Sequence, residues 1–496
     1  MQNHSWRRQK YRVIFSYTGL ICSTAGVTIL CPLVALIAYP KEINRAYGFL
    51  VPGLVLVLVG LFCWHRFKDD QNGLNVRDGA VIVVLSWIIA IAFGTIPFLI
   101  ISDLNFTQAV FESTSGWTTT GLSVIDVTQA SPLILLYRST IQLVGGAGFA
   151  IVALSAIVAP AGVSLATAEG RSEQLVPNVR RSAKLVLNIY TGYVAVGIVA
   201  LKLAGMDWFD AVNHAFAALS TGGFSTRVAS IGYWDSPAIE TVTIVLMLLG
   251  TLNFLTSYLL LTGKFSAVVR NGEVKLQAWI LPLSVMVLIF GVTSKLDLTA
   301  SKSLRVSIFE TITALSTSGF STVGYTSWNS IGWLVLIVLM LIGGGTGATA
   351  GGIKQYRIYA LYRGVLWEVR RQLLPKDAVT EPDVWQGETQ QFLSDRALRQ
   401  ISMFVFLYLF TYLVGSGIIC AFGYSLAESL FEYASALSTV GLSVGITSPD
   451  APIGVLWTEI VGMFLGRLEF FPAIVGLIKI YRDVREFVLL HRTSMK

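Results

Sequence analysis

The chain has 496 residues, of which 54% are apolar and only 13% charged, with 45 glycines besides. A soluble protein carries about 25% charged residues, so 36 basic and 29 acidic side chains are too few to wet the surface of globules this large. That excludes a string of ordinary soluble domains and defines a polytopic membrane protein.

About 20 consecutive apolar residues cross a bilayer, whereas about 10–14 suit half a crossing. Charge-free stretches of spanning length occupy 13–39, 47–64, 79–102, 139–159, 185–201, 241–263, 276–294, 331–353 and 400–423. A tenth, 452–478, is apolar but holds Glu459, Arg467 and Glu469. The first stretch follows Arg7, Arg8, Lys10 and Arg12, as in a signal peptide. Its length and the lack of a cleavage site after it predict a retained transmembrane helix.

Ten crossings put both termini on one face. With that face cytoplasmic, segments 1–12, 65–78, 169–184, 264–275, 354–399 and 479–496 hold 27 of the 36 Lys and Arg. The other face holds 8, and Arg467 lies within a span. This asymmetry sets the expected orientation, with cytoplasmic N- and C-termini in a plasma membrane. It also absorbs the net charge of +7 without nucleic acid as a partner. Cys22, Cys31, Cys63 and Cys420 sit in apolar runs, and His4, His65, His214 and His491 are scattered. Neither a metal centre, a covalently bound cofactor nor an enzyme is expected from such a set.

A pattern [ST]-T-x-G-[LF]-S recurs four times, at 118–123, 220–225, 316–321 and 438–443. Each copy follows a span and a short helical stretch, at roughly 105–117, 208–219, 304–315 and 425–437, and precedes another span. Twelve helical residues reach about 18 Å, around half the bilayer. Irregular backbone at that depth is tolerated only where it lines water or is buried in protein. Each repeat crosses twice and dips once, so the four loops open from one face and can converge on one axis. The expected fold is therefore all-α, with four pseudo-symmetric span–pore helix–span repeats around one pore plus an extra N-terminal helix pair.

The loops suit a cation. Successive backbone carbonyls can replace a hydration shell, glycine permits backbone angles closed to other residues, and the half-helix C-termini carry negative partial charge. The residues assigned to this filter are Thr119, Thr120 and Gly121; Thr221, Gly222 and Gly223; Thr317, Ser318 and Gly319; and Thr439, Val440 and Gly441. The hydroxyls of Thr118, Ser220, Ser316 and Ser438 are expected to bond back to the half-helices. Glu112, Glu310 and Glu432, with His214 in the second copy, fall at matching positions and are read as stabilising the half-helix N-termini.

The eighth span ends in a segment with six glycines in ten residues, from Gly343 to Gly352. Each glycine weakens a helix by about 1 kcal/mol, and the order required for a phosphate-binding loop fails at Gln355. A broken helix below the filter is expected, with Gly345, Thr346, Gly347, Thr349, Gly351, Gly352 and Lys354 as gate residues together with Arg467. A cation inside a span costs several kcal/mol unless it is compensated. Glu469 stands on another helix face, so carbonyls of the glycine-rich segment or a water-filled pore are the expected partners of Arg467.

These motifs resemble the Trk/Ktr/HKT potassium-transporter superfamily, closest to its bacterial Trk-type membrane subunits. The resemblance rests on the four filter glycines, the stretch ending at Lys354, and Gly466-Arg467-Leu468-Glu469, and it covers nearly the whole chain. It implies K+ as substrate, one pore per subunit, a homodimer, and a gate beneath the filter contacted by Arg467. It also implies a cytoplasmic ring of TrkA-like Rossmann subunits carrying a regulatory nucleotide, with 354–399 and the C-terminus as docking surfaces. Where many relatives have Ser in the gate loop, this chain has Ala348. Glycine in all four filters matches potassium-preferring members.

The expected organisation is a helix pair at 1–78, repeats at 79–168, 169–263 and 264–361, a linker at 362–399, and the fourth repeat with its tail at 400–496. The alternative within transport is a Na+-coupled or poorly selective K+/Na+ pathway.

Overall fold

The computed structural model describes residues 2–67, 75–148, 179–296, 298–375, 380–387 and 389–494. Part of the span expected at 139–159, most of segment 169–184 and the middle of 65–78 lie outside the described residues.

The N-terminal pair is α1 (Gln2–Leu30) and α2 (Tyr47–Phe67), joined through two short 3-10 turns. Small residues let their backbones touch: a Cβ on Gly19 would stand 2.7 Å from the Gly60 carbonyl, and one on Gly26 would stand 2.8 Å from that of Gly53. Bare backbone at such crossings is how helices associate where no hydrophobic drive exists.

Four repeats follow. The first contains α3 (Val76–Ile101), the half-helix α4 (Phe106–Trp117) and α5 (Pro132–Gly146). The second contains α6 (Val179–Ala204), the half-helix α7 (Trp208–Leu219) and α8 (Pro237–Thr251), continued by α9 (Phe254–Leu261) and the short α10 (Phe265–Arg270). The third contains α11 (Gly272–Gly291), the half-helix α12 (Ala300–Leu315) and α13 (Ser330–Ile342), after which α14 (Gln355–Leu373) leads out of the repeat. The fourth contains α15 (Asp395–Ala421), the half-helix α16 (Leu426–Leu437), α17 (Ile453–Arg467) and α18 (Phe471–Ser494). Between α14 and α15 the strands β1 (Asp383–Gln386) and β2 (Thr389–Phe392) pair antiparallel, a small departure from an all-helical chain.

Each half-helix begins at a side-chain cap, which fixes where the chain turns back into the fold. Asn105 accepts from the Gln108 amide at 3.0 Å, Asp207 from that of Asp210 at 2.7 Å, Thr299 from that of Lys302 at 3.3 Å, and Ser425 from that of Glu428 at 3.3 Å. The Thr299 cap starts the third half-helix four residues before the expected 304.

Among the described residues, six helices are long and apolar enough to cross a membrane, and two bent pairs raise the number to eight. α13 is a shorter apolar helix, and α5 runs for 15 residues. The expectation of continuous spans over 241–263 and 452–478 is corrected here. α8 and α9 meet at 116°, and α17 and α18 at 107°. Asn253 caps the new helix of the first pair, and Glu469 and Phe470 adopt left-handed backbone at the bend of the second.

The ends of α5, α8 and α17 correspond, and in each of these repeats one glycine marks where the helix meets its half-helix. A Cβ on Gly145, Gly250 or Gly466 would stand 2.1, 2.5 or 1.8 Å from the carbonyl oxygen of Trp117, Leu219 or Leu437, the last residues of the neighbouring half-helices. The second helix of each of these repeats passes so close to the half-helix C-terminus that no side chain fits between them.

Candidate functional site

Each half-helix ends in the same way. The amides of Thr119 and Thr120 donate back to the carbonyls of Gly116 and Ser115. Those of Thr221 and Gly222, Thr317 and Ser318, and Thr439 and Val440 repeat the pattern. This is the double bond of a Schellman motif, which needs a left-handed residue just past the helix. Here that residue is threonine every time, with φ of 57° at Thr119, 53° at Thr221, 54° at Thr317 and 52° at Thr439. A β-branched residue there is an outlier costing about 1–3 kcal/mol, a strain characteristic of functional sites.

Two residues on, Gly121, Gly223, Gly319 and Gly441 all have positive φ, between 74° and 99°. They also close a ring in chain order. A Cβ on Gly121 would lie 2.2 Å from the Gly222 carbonyl oxygen, one on Gly223 2.3 Å from that of Ser318, one on Gly319 1.9 Å from that of Val440, and one on Gly441 2.3 Å from that of Thr120. Each glycine thus meets the carbonyl just before the glycine of the next repeat. Both demands, positive φ and bare Cα, mean that any other residue at these four places strains the backbone and displaces the neighbouring loop.

The ring is buried and polar at once. Thr119, Thr120, Thr221, Thr317, Ser318 and Thr439 are all fully buried. The hydroxyls of Thr118, Ser220 and Ser316 bond back to the half-helix carbonyls of Thr114, Ala217 and Thr313, whereas Ser438 pairs with the Tyr408 hydroxyl at 2.8 Å.

The matched glutamates serve the loops and not the half-helix N-termini, which corrects the expectation from sequence. Glu112 accepts from the amides of Val124 and Ile125 at 2.6 and 3.2 Å and from the Ser123 hydroxyl. Glu310 accepts from the Thr322 amide at 2.8 Å, the Thr322 hydroxyl at 2.7 Å and the Tyr325 hydroxyl. Glu432 accepts from the amides of Val444 and Thr447, both at 3.0 Å. His214 does the same for repeat 2 through Ser225, at 2.9 Å from its Nε2. A side chain buried midway along each half-helix holds the limb that leaves the Thr-x-Gly loop. Arg138 adds a cross-tie, 3.4 Å from Glu112, with its guanidinium over the Phe224 ring of repeat 2.

Away from the ring, repeats 2 and 3 are joined at the surface, where Lys302 and Arg305 reach Asp235 at 2.9 and 3.0 Å. The hydrogen bond from Lys302 holds the Asp235 carboxyl below the usual carboxylate range.

Segment 343–354 is not helical and lies against the half-helix side of the ring. Gly343 turns with φ of 70°, and Gly344 donates to the Gly351 carbonyl at 3.3 Å, folding the segment back on itself. Ile353 and Lys354 then donate to the carbonyls of Leu341 and Ile342 at 2.9 and 3.0 Å. Gly345 donates to the Thr251 carbonyl at 3.0 Å, and Thr346 to Glu273 at 2.7 Å. Gly347 and Gly352 take positive φ, and the Lys354 ammonium donates to the Ala350 carbonyl.

The segment touches three of the four Thr-x-Gly loops. The Thr349 hydroxyl lies 3.2 Å from that of Thr221, and the Gly351 amide donates to the Thr317 hydroxyl at 2.8 Å. The bare Cα of Gly351 faces Ser438 and Thr439. On the remaining side, Arg467 donates to the Thr349 carbonyl at 3.2 Å and to the carbonyls of Gly145 and Gly146 in repeat 1. Glu469 is engaged elsewhere, with Arg357. The sequence-derived filter and gate residues therefore form one contiguous cluster. The sequence does not reveal that α5, α8 and α17 each end against the C-terminus of a half-helix; Gly145, Gly250 and Gly466 are the available signal.

Four re-entrant half-helices converging on a closed ring of backbone carbonyls, inside a multi-pass bundle, define a membrane transport protein of the four-repeat class. The family described as TrkH, cation transport protein, matches residues 48–484, and the chain belongs to that family. Among relatives, it is 32% identical to the Trk system potassium uptake protein TrkH of Vibrio parahaemolyticus, covering 94% of this chain and 98% of the relative. It is 29% identical to the TrkH protein of Escherichia coli, with the same coverages. An uncharacterized cation transporter of Methanocaldococcus jannaschii is 30% identical, covering 94% of this chain and 95% of the relative. The crystal structure of the potassium transporter TrkH from Vibrio parahaemolyticus superposes with a TM-score of 0.81 at 29% identity, covering 94% of this chain and 98% of that one.

Proposed function

We propose that the protein takes up potassium ions across a bacterial inner membrane, with both termini in the cytoplasm, and catalyses no reaction. The ions pass along the axis of the ring, where carbonyls of the four Thr-x-Gly loops replace their water. A ring of carbonyl dipoles with no charged side chain in it favours a monovalent cation that sheds its shell at modest cost. Driven by the membrane potential, passage needs no chemical step. The observation that carries this reading is the cyclic contact of each filter glycine with the carbonyl of the next loop.

Segment 343–354 acts as the gate. Its contacts with Thr221, Thr317 and Thr439 put it across the half-helix side of the filter, and the Arg467 guanidinium both pins it and sets a positive charge near the path. Opening would require the segment to leave these contacts. We assign the control of that movement to a cytoplasmic ring of TrkA-like subunits that bind the regulatory nucleotide, docked on α14, the hairpin and the C-terminal helix, and we take the transporter to be a homodimer.

Expression in a cell that lacks potassium uptake tests the central reading. Growth at low external potassium, with 86Rb+ entry that other monovalent cations fail to match, supports it. Absence of rescue at normal expression overturns it. Replacing Na+ outside during the same measurement separates direct conduction from Na+-coupled transport.

A further inference from the structure

The four filter loops differ at their third residue, which is Thr120, Gly222, Ser318 or Val440. Only the second loop has two consecutive glycines. It also lacks a brace found in two others: the amides of Gly121 and Gly441 each donate at 3.0 Å to a half-helix hydroxyl, Ser115 or Ser435. The residue at that half-helix position in repeat 2 is Ala217. The second loop should therefore be the loosest of the four, because a glycine pair carries the largest backbone freedom.

Gln142 reaches it from outside. This residue lies on α5 of repeat 1 and is fully buried. Its Nε2 donates to the Gly222 carbonyl at 2.5 Å, and its Oε1 accepts from the Phe224 amide at 3.2 Å. One amide thus grips the backbone on both sides of Gly223. The carbonyl can only accept and the amide can only donate, so a side chain offering one donor and one acceptor at this reach is needed. Glycine at 222 is the other half of the fit: a Cβ there would lie 2.4 Å from Gln142 Cδ. The matching residues of repeats 2 and 4, three before Gly250 and Gly466 as Gln142 is three before Gly145, are the buried Met247 and Met463. The clamp is thus special to the seam between repeats 1 and 2.

We propose that Gln142 is a specificity-determining positioning residue, which fixes the second filter loop by clamping Gly222 and Phe224. The Gly222 oxygen belongs to the ring through its contact with Gly121. With one lone pair held by Gln142, it offers an ion a weaker field than an unshared carbonyl, and its position is fixed from behind. Both the number and the field strength of the carbonyls bear on discrimination between K+ and Na+.

This inference rests on the filter reading, and the test separates the two. K+ and Na+ fluxes are measured in proteoliposomes for the wild type, Q142M, G222A and the double variant, each first checked for monodispersity. Met fills the same space, and it is the residue that repeats 2 and 4 use. The K+/Na+ flux ratio falls about fivefold in Q142M, the discrimination carried by one hydrogen bond of ordinary strength. Gly222→Ala, whose backbone needs no positive φ, pushes the amide aside and lowers the ratio as much. The double variant is no worse than either single one, because all three lose the same clamp. An unchanged ratio in Q142M, or single losses that multiply in the double variant, overturns the proposal. A wild type that passes no K+ overturns the filter reading itself.

Discussion

The amide of Gly351 donates to the hydroxyl of Thr317 at 2.8 Å, so the glycine-rich segment is hydrogen-bonded to the third Thr-x-Gly loop. Thr317 is strained, with φ of 54°, and its hydroxyl is the acceptor that the segment uses. On the proposed reading gate and filter are thus joined by a hydrogen bond, and a change in one should be felt in the other.

Gly351→Ala tests that union. The added Cβ would stand 2.1 Å from the Ser438 carbonyl oxygen and 2.2 Å from Thr439 Oγ1. Backbone on one side cannot yield, so the segment must move off the ring. Basal 86Rb+ flux without any cytoplasmic partner is expected to rise about fivefold, matching the loss of one hydrogen bond from the closed state. Unchanged flux at equal expression would exclude segment 343–354 as the gate.

Arg467 holds the same segment from the other side. Arg467→Ala removes the donors to Thr349, Gly145 and Gly146 together with a positive charge beside the path. Basal flux should rise by about tenfold, since a hydrogen bond from a charged donor is worth about 1.5 kcal/mol or more. Arg467→Lys keeps the charge but lacks the planar fork that reaches three carbonyls, so its rise should be smaller. Flux that falls in the alanine variant would mean that Arg467 supports conduction.

The repeats were legible because a short helix and a Thr-x-Gly loop leave a local signature. The second half-helix, Trp208–Leu219, has the bounds read from sequence, and Leu426–Leu437 differs by one residue. Local signals also exposed the break after Ile342, where glycines crowd. The breaks after Thr251 and Arg467 were not legible, because the surrounding runs stay apolar overall and the few polar residues there, Asn253 or Arg467 and Glu469, do not by themselves distinguish a bend from a continuous span. Their cause is a close approach to a half-helix carbonyl, which is a tertiary contact. The bonding of the glutamates to the loops is not legible in the sequence for the same reason. Glu310 and Thr322 are 12 residues apart and meet only because the filter loop reverses the chain.

Glu310→Ala should destabilise the fold itself. It leaves the amide and hydroxyl of Thr322 and the hydroxyl of Tyr325 without their acceptor. Unpaired buried donors cost about 1–3 kcal/mol each, so a loss of about 3 kcal/mol or more is expected in detergent unfolding. Tyr325→Phe removes one donor together with its bond and should cost about 1 kcal/mol. A Glu310→Ala protein that unfolds at the wild-type temperature would contradict the bracing role.

Gly319→Ser tests the ring where it is tightest. A Cβ at 319 would lie 1.9 Å from the Val440 oxygen, closer than at the other three filter glycines. Serine must also adopt φ of 74°, which costs about 1–2 kcal/mol. Neither cost unfolds a bundle of this size, so the protein should still insert, but the third and fourth loops are forced apart. Carbonyls displaced by a few tenths of an ångström no longer match dehydrated K+, and the K+/Na+ flux ratio should fall about tenfold or more towards unity. Gly445→Ser is the control, because Gly445 has φ of 101° and open space where its side chain would go. It carries comparable backbone strain without touching the ring, so its flux ratio should stay at the wild-type value. If both variants lose selectivity equally, strain in the loops is responsible; if neither does, the carbonyl ring is not the filter.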